Sequence, residues 1–432
     1  MQSALAASRS LRVLHNSVVR YWCTGSPESS IAVMSTPKIQ TLPALTSLRF
    51  FAALAIVVHH CNGVFWPAAE LGPLDVGVSF FFVLSGFILT YVYRDMPTAP
   101  PARGRFYRAR IARIWPLHLV CLLLTLILVT LPEPFNPVAL GLNLMLLHAW
   151  VPFDRIFFSY NYVSWSISTE LFFYLMFPLL VTRPVRWTGL AILIALSLVA
   201  AFGWAVDQAD LTTWDTAGNQ LSATGLLYTN PLARLPEFLI GMATGRFFLR
   251  PQDAVNPSEI RGSVAEILAL AGLFAGYLML QHGFAPFVHA LLLRSGFTDL
   301  PLSAGTAEVT LLGQISPFAS TLVTEWADHV GLAPLAALVI YVFAQRRGLV
   351  SKALSHRWLM FAGEISFALY LLHQLILRAL QQHVHQLGSV DFMLYLTAVL
   401  LLAALLHLLV EKPARQWLVR RFDSAAAPSA SA

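Results

Sequence analysis

The chain has 432 residues, of which 57% are hydrophobic and 12% charged, whereas a soluble domain carries about a quarter charged residues. With a mean hydropathy of +0.66, that composition excludes an ordinary soluble fold and describes an all-α polytopic membrane helix bundle. The formal charge of +6 reads as membrane topology, not as nucleic-acid binding, because basic residues accumulate in short cytoplasmic loops. Three scattered cysteines offer neither a disulfide framework nor a zinc site, and no metal is expected.

Residues 1–30 carry arginines, serines and one acid and superficially resemble a transit peptide. Met34 opens "MSTPKIQTLPALTSLRFF", a natural-looking start, so the region is equally read as a mis-called extension. Residues 1–40 are expected to be disordered. A membrane domain is predicted over 41–415 and a cytoplasmic tail over 416–432.

A span needs about 20 mostly apolar residues, and about ten segments qualify. In the first, near 44–65, Arg49 and His60 are eleven residues apart, about three helical turns, so they share one face. An axial rise of roughly 16 Å then separates them. Arg49 suits an interfacial anchor or a functional charge. His60, near mid-membrane, is the side chain best able to take a proton near neutral pH, although a hydrogen-bonded structural histidine has the same appearance. The second span, near 75–93, interleaves Gly77, Ser79, Ser85 and Gly86 with large apolar residues, which favours close helix approach over a nucleophilic role for Ser85.

Six arginines lie between Arg94 and Arg113, before the third span near 114–131. Arg110 and Arg113 fall on one helix face, and guanidinium forks bind phosphates bidentately, so a phosphorylated substrate or cofactor is expected there. Residues 138–150 are too short for a span and read as re-entrant or interfacial. The fourth, near 162–181, carries Glu170 with Ser166 and Tyr174 four residues away on either side. Glu170 suits a charge paired with a buried arginine or a direct proton-transfer role. The fifth falls near 188–206. In the sixth, near 229–248, Arg234 and Glu237 are spaced to neutralise one another. The seventh falls near 263–281, and residues 282–330 read as an outer loop with room for a further helix. The eighth is near 331–345. The ninth, near 358–379, places Ser366, Tyr370 and His373 on one stripe that must face the bundle interior or a cavity. The tenth is near 392–410.

With the N-terminus inside, 24 of the 28 basic residues fall on the cytoplasmic side, which predicts both termini to be cytoplasmic.

"LTSLRFFAALAIVVHH", "GVSFFFVLSGF", "RFYRARIARIWPLH", "WSISTELFFYLMFP", "RLPEFLIGMATGR" and "ISFALYLLHQLIL", in that order, resemble the motifs of the acyltransferase-3 family of bacterial membrane O-acyltransferases, from about residue 42 to about 413. The resemblance implies a multi-pass protein of the bacterial cytoplasmic membrane. Such a protein takes an acyl group, often acetyl, from cytoplasmic acyl-coenzyme A to a hydroxyl of a carbohydrate or glycolipid acceptor. It maps the family's catalytic histidine onto His60, its partner arginine onto Arg49, its donor-binding R-x-x-R onto Arg110 and Arg113, and its W-S-x-x-x-E onto Trp165, Ser166 and Glu170. His60 and Glu170 are therefore the expected catalytic residues, and Arg49, Arg110 and Arg113 the expected donor-binding ones. Two departures stand out. No hydrolase-like domain follows the last span, so acceptor handling is expected to fall to the bundle and its outer loops. Ser79 replaces the family's frequent acid, leaving the role of Asp75 open. The alternative is a proton-coupled secondary transporter using His60, Glu170, Glu237, Glu364 and His373 as a relay.

Overall fold

The computed structural model describes residues 40–425 apart from 68–70, 72–73, 97–99, 130–134, 216–217, 219, 252–257, 282–321 and 385–386. The expected extension and any helix within 282–321 therefore lie outside the described residues. The described chain is helical, and its only strand-like pairing is an isolated bridge between Phe153 and Leu221.

The principal helices are α1 (Pro43–Cys61), α2 (Gly77–Val92), α3 (Pro100–Leu128), α4 (Pro137–Leu144), α5 (Trp165–Val181), α6 (Val185–Gln208), α7 (Leu235–Phe248), α8 (Glu259–Gln281), α9 (Ala333–Ala344), α10 (Arg357–Gln381), α11 (Ser389–Leu406) and α12 (Lys412–Ala425). Among the described residues, nine helical stretches are long and apolar enough to cross a membrane. The expected sixth span supplies the difference. Pro231 and Pro236 cannot donate backbone hydrogen bonds, so regular helix starts only at Leu235 and runs for 14 residues, about 21 Å. Several other spans extend beyond their expected bounds, and two of these extensions shape the site. Helix α3 begins early enough to carry Arg103 to Arg113 on its first turns. The eighth span reaches back through a π turn at Val323–Ala327, which places His329 within a helical stretch and not in a loop. Helix α12 follows α11 through another π turn, His407–Glu411.

Small residues set how the helices meet. A Cβ on Gly86 would lie 2.1 Å from the Phe238 carbonyl oxygen, and one on Gly241 would lie 2.0 Å from that of Val83. Helices α2 and α7 therefore touch backbone to backbone, as small residues allow in membranes. Gly363 does the same for α10 against α1, its Cβ position being 1.9 Å from the Thr46 carbonyl oxygen. These crossings fix α2 against α7 and α10 against α1, and residues of α1, α2, α5 and α10 line one cavity between them. The remaining surface is lined by exposed Leu, Ile, Val and Phe side chains, notably on α6, α8 and α11, as a lipid-facing exterior requires.

Candidate active site

Three cavities follow one another through the bundle. The first, of about 450 Å³, is bounded by α3 and α12 and lined by Arg110, Arg113, Arg415 and Arg420. Arg110 and Arg113 also line the second, of about 270 Å³, together with Arg49, Ser85, Glu170 and Tyr174. Val78 and Tyr370 close the second cavity and at the same time border the third, of about 440 Å³, where His59, His60, Asp75 and His329 are found. All five expected site residues thus line this series. Glu170 and the arginines share the middle cavity, whereas His60 lies beyond Tyr370, so the structure does not bring Glu170 and His60 into one chamber.

In the middle cavity, Arg110 sits 5.6 Å above the Tyr93 ring and 5.9 Å from that of Tyr174, and donates to the Tyr93 hydroxyl at 3.3 Å. Aromatic faces hold a guanidinium without neutralising it. Glu170 accepts from Tyr174 at 2.5 Å and from Ser85 at 3.5 Å. Ser166, the other expected partner of Glu170, instead bonds the Tyr370 hydroxyl at 2.8 Å, tying α5 to α10 beside the passage to the outer cavity.

The hydrogen bonds of the two histidines assign their tautomers. His373 Nδ1 lies 2.6 Å from the Tyr370 carbonyl oxygen, so this nitrogen donates and Nε2 keeps the lone pair. His60 Nδ1 faces two acceptors, the Ile56 carbonyl oxygen at 2.9 Å and His373 Nε2 at 3.2 Å, and therefore carries the proton. The lone pair of His60 is left on Nε2, on a residue that lines the outer cavity. A histidine with Nδ1 held by fixed acceptors and Nε2 free is arranged to accept a proton.

A family model described as an acyltransferase domain matches residues 42–410. The chain belongs to the acyltransferase-3 family. It is 30% identical over 426 residues to the acyltransferase MdmB of Streptomyces mycarofaciens, covering 91% of this chain and 96% of MdmB. It is also 29% identical over 154 residues to the O-acetyltransferase OatA of Staphylococcus aureus, covering 33% of this chain and 25% of OatA. No solved structure matches. Membership makes the protein a membrane acyltransferase and displaces the transporter reading.

Within this acyltransferase, several site residues were not legible in the sequence. His329 Nδ1 bonds the Asp75 carboxylate at 2.7 Å, which gives Asp75 a partner 254 positions away. The sequence alone reads the segment around His329 as outer loop with room for a further helix. The buried hydroxyl of Ser79 donates to the His329 carbonyl oxygen at 2.8 Å. Arg415 and Arg420 close the first cavity, whereas in the sequence they read only as basic residues of the cytoplasmic side. The i, i+4, i+7 stripe did signal that His373 faces inward, but nothing local showed that it would meet His60. Among the described residues no group of three or more His, Cys, Asp or Glu could hold a metal ion.

Proposed function

We propose that this acyltransferase moves an acyl group, acetyl in the simplest case, from acyl-coenzyme A to a hydroxyl of a carbohydrate or glycolipid acceptor, with His60 as general base. One observation carries the reading. A chain of cavities starts among arginines and ends at a histidine whose Nε2 lone pair is free. The arginine end suits the phosphates of a coenzyme A thioester, which supplies the activated acyl group. Arg49, Arg110 and Arg113 would hold this donor, and the basic bias of the loops puts their end, and both termini, on the cytoplasmic side of a bacterial cytoplasmic membrane.

His60 Nε2 removes the acceptor hydroxyl proton as the oxygen attacks the thioester carbonyl. The carbon–sulfur bond then breaks, and the imidazolium returns the proton to the leaving thiolate. Glu170 lies one cavity short of this chemistry, so its part is to orient Tyr174 and Ser85 along the donor path. The outer cavity is walled by Phe158, Tyr162, Trp165, Trp214 and Tyr228. Aromatic faces beside the Asp75–His329 pair suit a sugar ring, which offers apolar ring faces and hydroxyl groups together.

The decisive experiment is thiol release from acetyl-coenzyme A by the purified protein, with a panel of sugars and glycolipids. Release that depends on an acceptor supports the reading; a folded protein that neither binds coenzyme A nor releases thiol overturns it. Replacing Arg110 and Arg113 together by alanine is expected to raise the acyl-coenzyme A KM by about tenfold to a hundredfold, the effect of losing charge-assisted contacts, with kcat little changed. An unchanged KM removes these residues from the donor site. His373→Phe removes the Nε2 acceptor that steadies the His60 ring. It is expected to lower kcat by about tenfold while leaving the acyl-coenzyme A KM in place, whereas a merely structural role would lower the folded yield without that split.

A further inference from the structure

The first cavity holds more positive charge than the family motif brings to it. Arg415 and Arg420 extend from α12 and Arg110 and Arg113 from α3, all four bordering one space of about 450 Å³. The α12 lining residues, Arg415, Gln416, Val419 and Arg420, recur at i, i+1, i+4 and i+5 and so form a single helix face. Glu411, four positions before Arg415, is engaged by His407 at 2.9 Å and also attracts Arg113 and Arg415, one carboxylate among four guanidinium groups. Arg110 Nε is buried with no hydrogen-bond partner. Four guanidinium groups around one cavity repel one another, and a ligand with several negative charges would relieve that repulsion and supply the missing acceptors. Arg110 and Arg113 line both this cavity and the smaller one that lies towards His60.

We infer that Arg415 and Arg420 complete a polyanion clamp at the mouth of this route, and that the clamp recognises the phosphorylated ribose of coenzyme A, its 3′-phosphate included. The inference rests on the donor reading above and adds to it. The motif arginines face both cavities and so reach the diphosphate where the pantetheine arm begins. The α12 arginines border only the first of the two, where a second phosphate group would sit. The helix after the last span is then part of the substrate site, and the acyl donor is discriminated at the end farthest from the chemistry. An anionic lipid headgroup shares the phosphate chemistry and is the competing occupant.

The test is binding of coenzyme A and of dephospho-coenzyme A, which lacks only the 3′-phosphate, to the full chain in phosphatidylcholine nanodiscs. Wild-type protein is expected to prefer coenzyme A by roughly tenfold to a hundredfold. The Arg415→Gln, Arg420→Gln double variant is expected to lose that preference while keeping its affinity for dephospho-coenzyme A. Both positions are exposed on the terminal helix, so these substitutions leave the packed bundle intact. A wild-type protein that binds both molecules equally well overturns the clamp and leaves the donor reading standing. Failure to bind either molecule overturns the donor reading and the clamp with it. A preference that survives in the double variant assigns the 3′-phosphate elsewhere. Coenzyme A binding that is indifferent to the variant, together with phosphatidylglycerol retention that is lost in it, makes the cavity a headgroup site and overturns the inference.

Discussion

His60→Ala is expected to lower turnover by about 10²–10⁴-fold, the usual contribution of a positioned general base, while the protein continues to bind coenzyme A. The expectation follows from two acceptors converging on one nitrogen. With Ile56 and His373 both facing Nδ1, the free lone pair belongs to Nε2, and alanine removes it without touching the arginine-lined cavities. His59 borders the same outer cavity, and its ring meets that of His60 edge-on at 5.2 Å. Its replacement by alanine serves as the contrast and is expected to have a much smaller effect. Thiol release followed in parallel with coenzyme A binding checks the assignment. If His60→Ala turns over normally, the proton is accepted elsewhere and the mechanism falls.

Arg234→Met is expected to destabilise the bundle by about 3–5 kcal/mol, because it strands the Glu237 carboxylate in a closed interior. Arg234 and Glu237 are both fully buried and pair through two bonds of 2.7 and 2.8 Å. The same guanidinium donates to Ser79 and to the Tyr228 carbonyl oxygen, each at 3.2 Å, and lies 5.2 to 5.5 Å from the rings of Phe82, Trp165 and Tyr228. One side chain therefore joins α7, α2 and the wall of the outer cavity. Thermal unfolding in detergent measures the loss, and Arg234→Met combined with Glu237→Leu is expected to recover much of it, since no lone charge remains buried. A single variant as stable as the wild type would show that the pair does not hold the bundle together.

The composition and the spacing of apolar residues were sufficient to identify an all-helical membrane protein, to place most of its spans, and to bring out the family through motifs in a fixed order. Those features depend on physics within a span: the length needed to cross hydrocarbon, and the exclusion of charge from it. The same local physics made the Arg234–Glu237 pair legible, because three residues is one helical turn. It also put Arg49 and His60 on one face.

Contacts between helices were not legible. His60 and His373 are 313 positions apart, and a polar stripe on one helix does not specify which neighbour it will face. That choice is made where Gly86, Gly241 and Gly363 let backbones touch, and a glycine's tolerance of close approach does not name the partner that approaches. The π turn at 323–327 likewise turned an apparent loop into the helix that carries His329 to Asp75, because exact helix starts depend on what packs against them. The residue types at the site were therefore determined by the sequence. The tautomer of His60, the separation of Glu170 from it, and the meeting of α3 with α12 around one basic cavity were decided only by the tertiary packing, which joins side chains hundreds of residues apart.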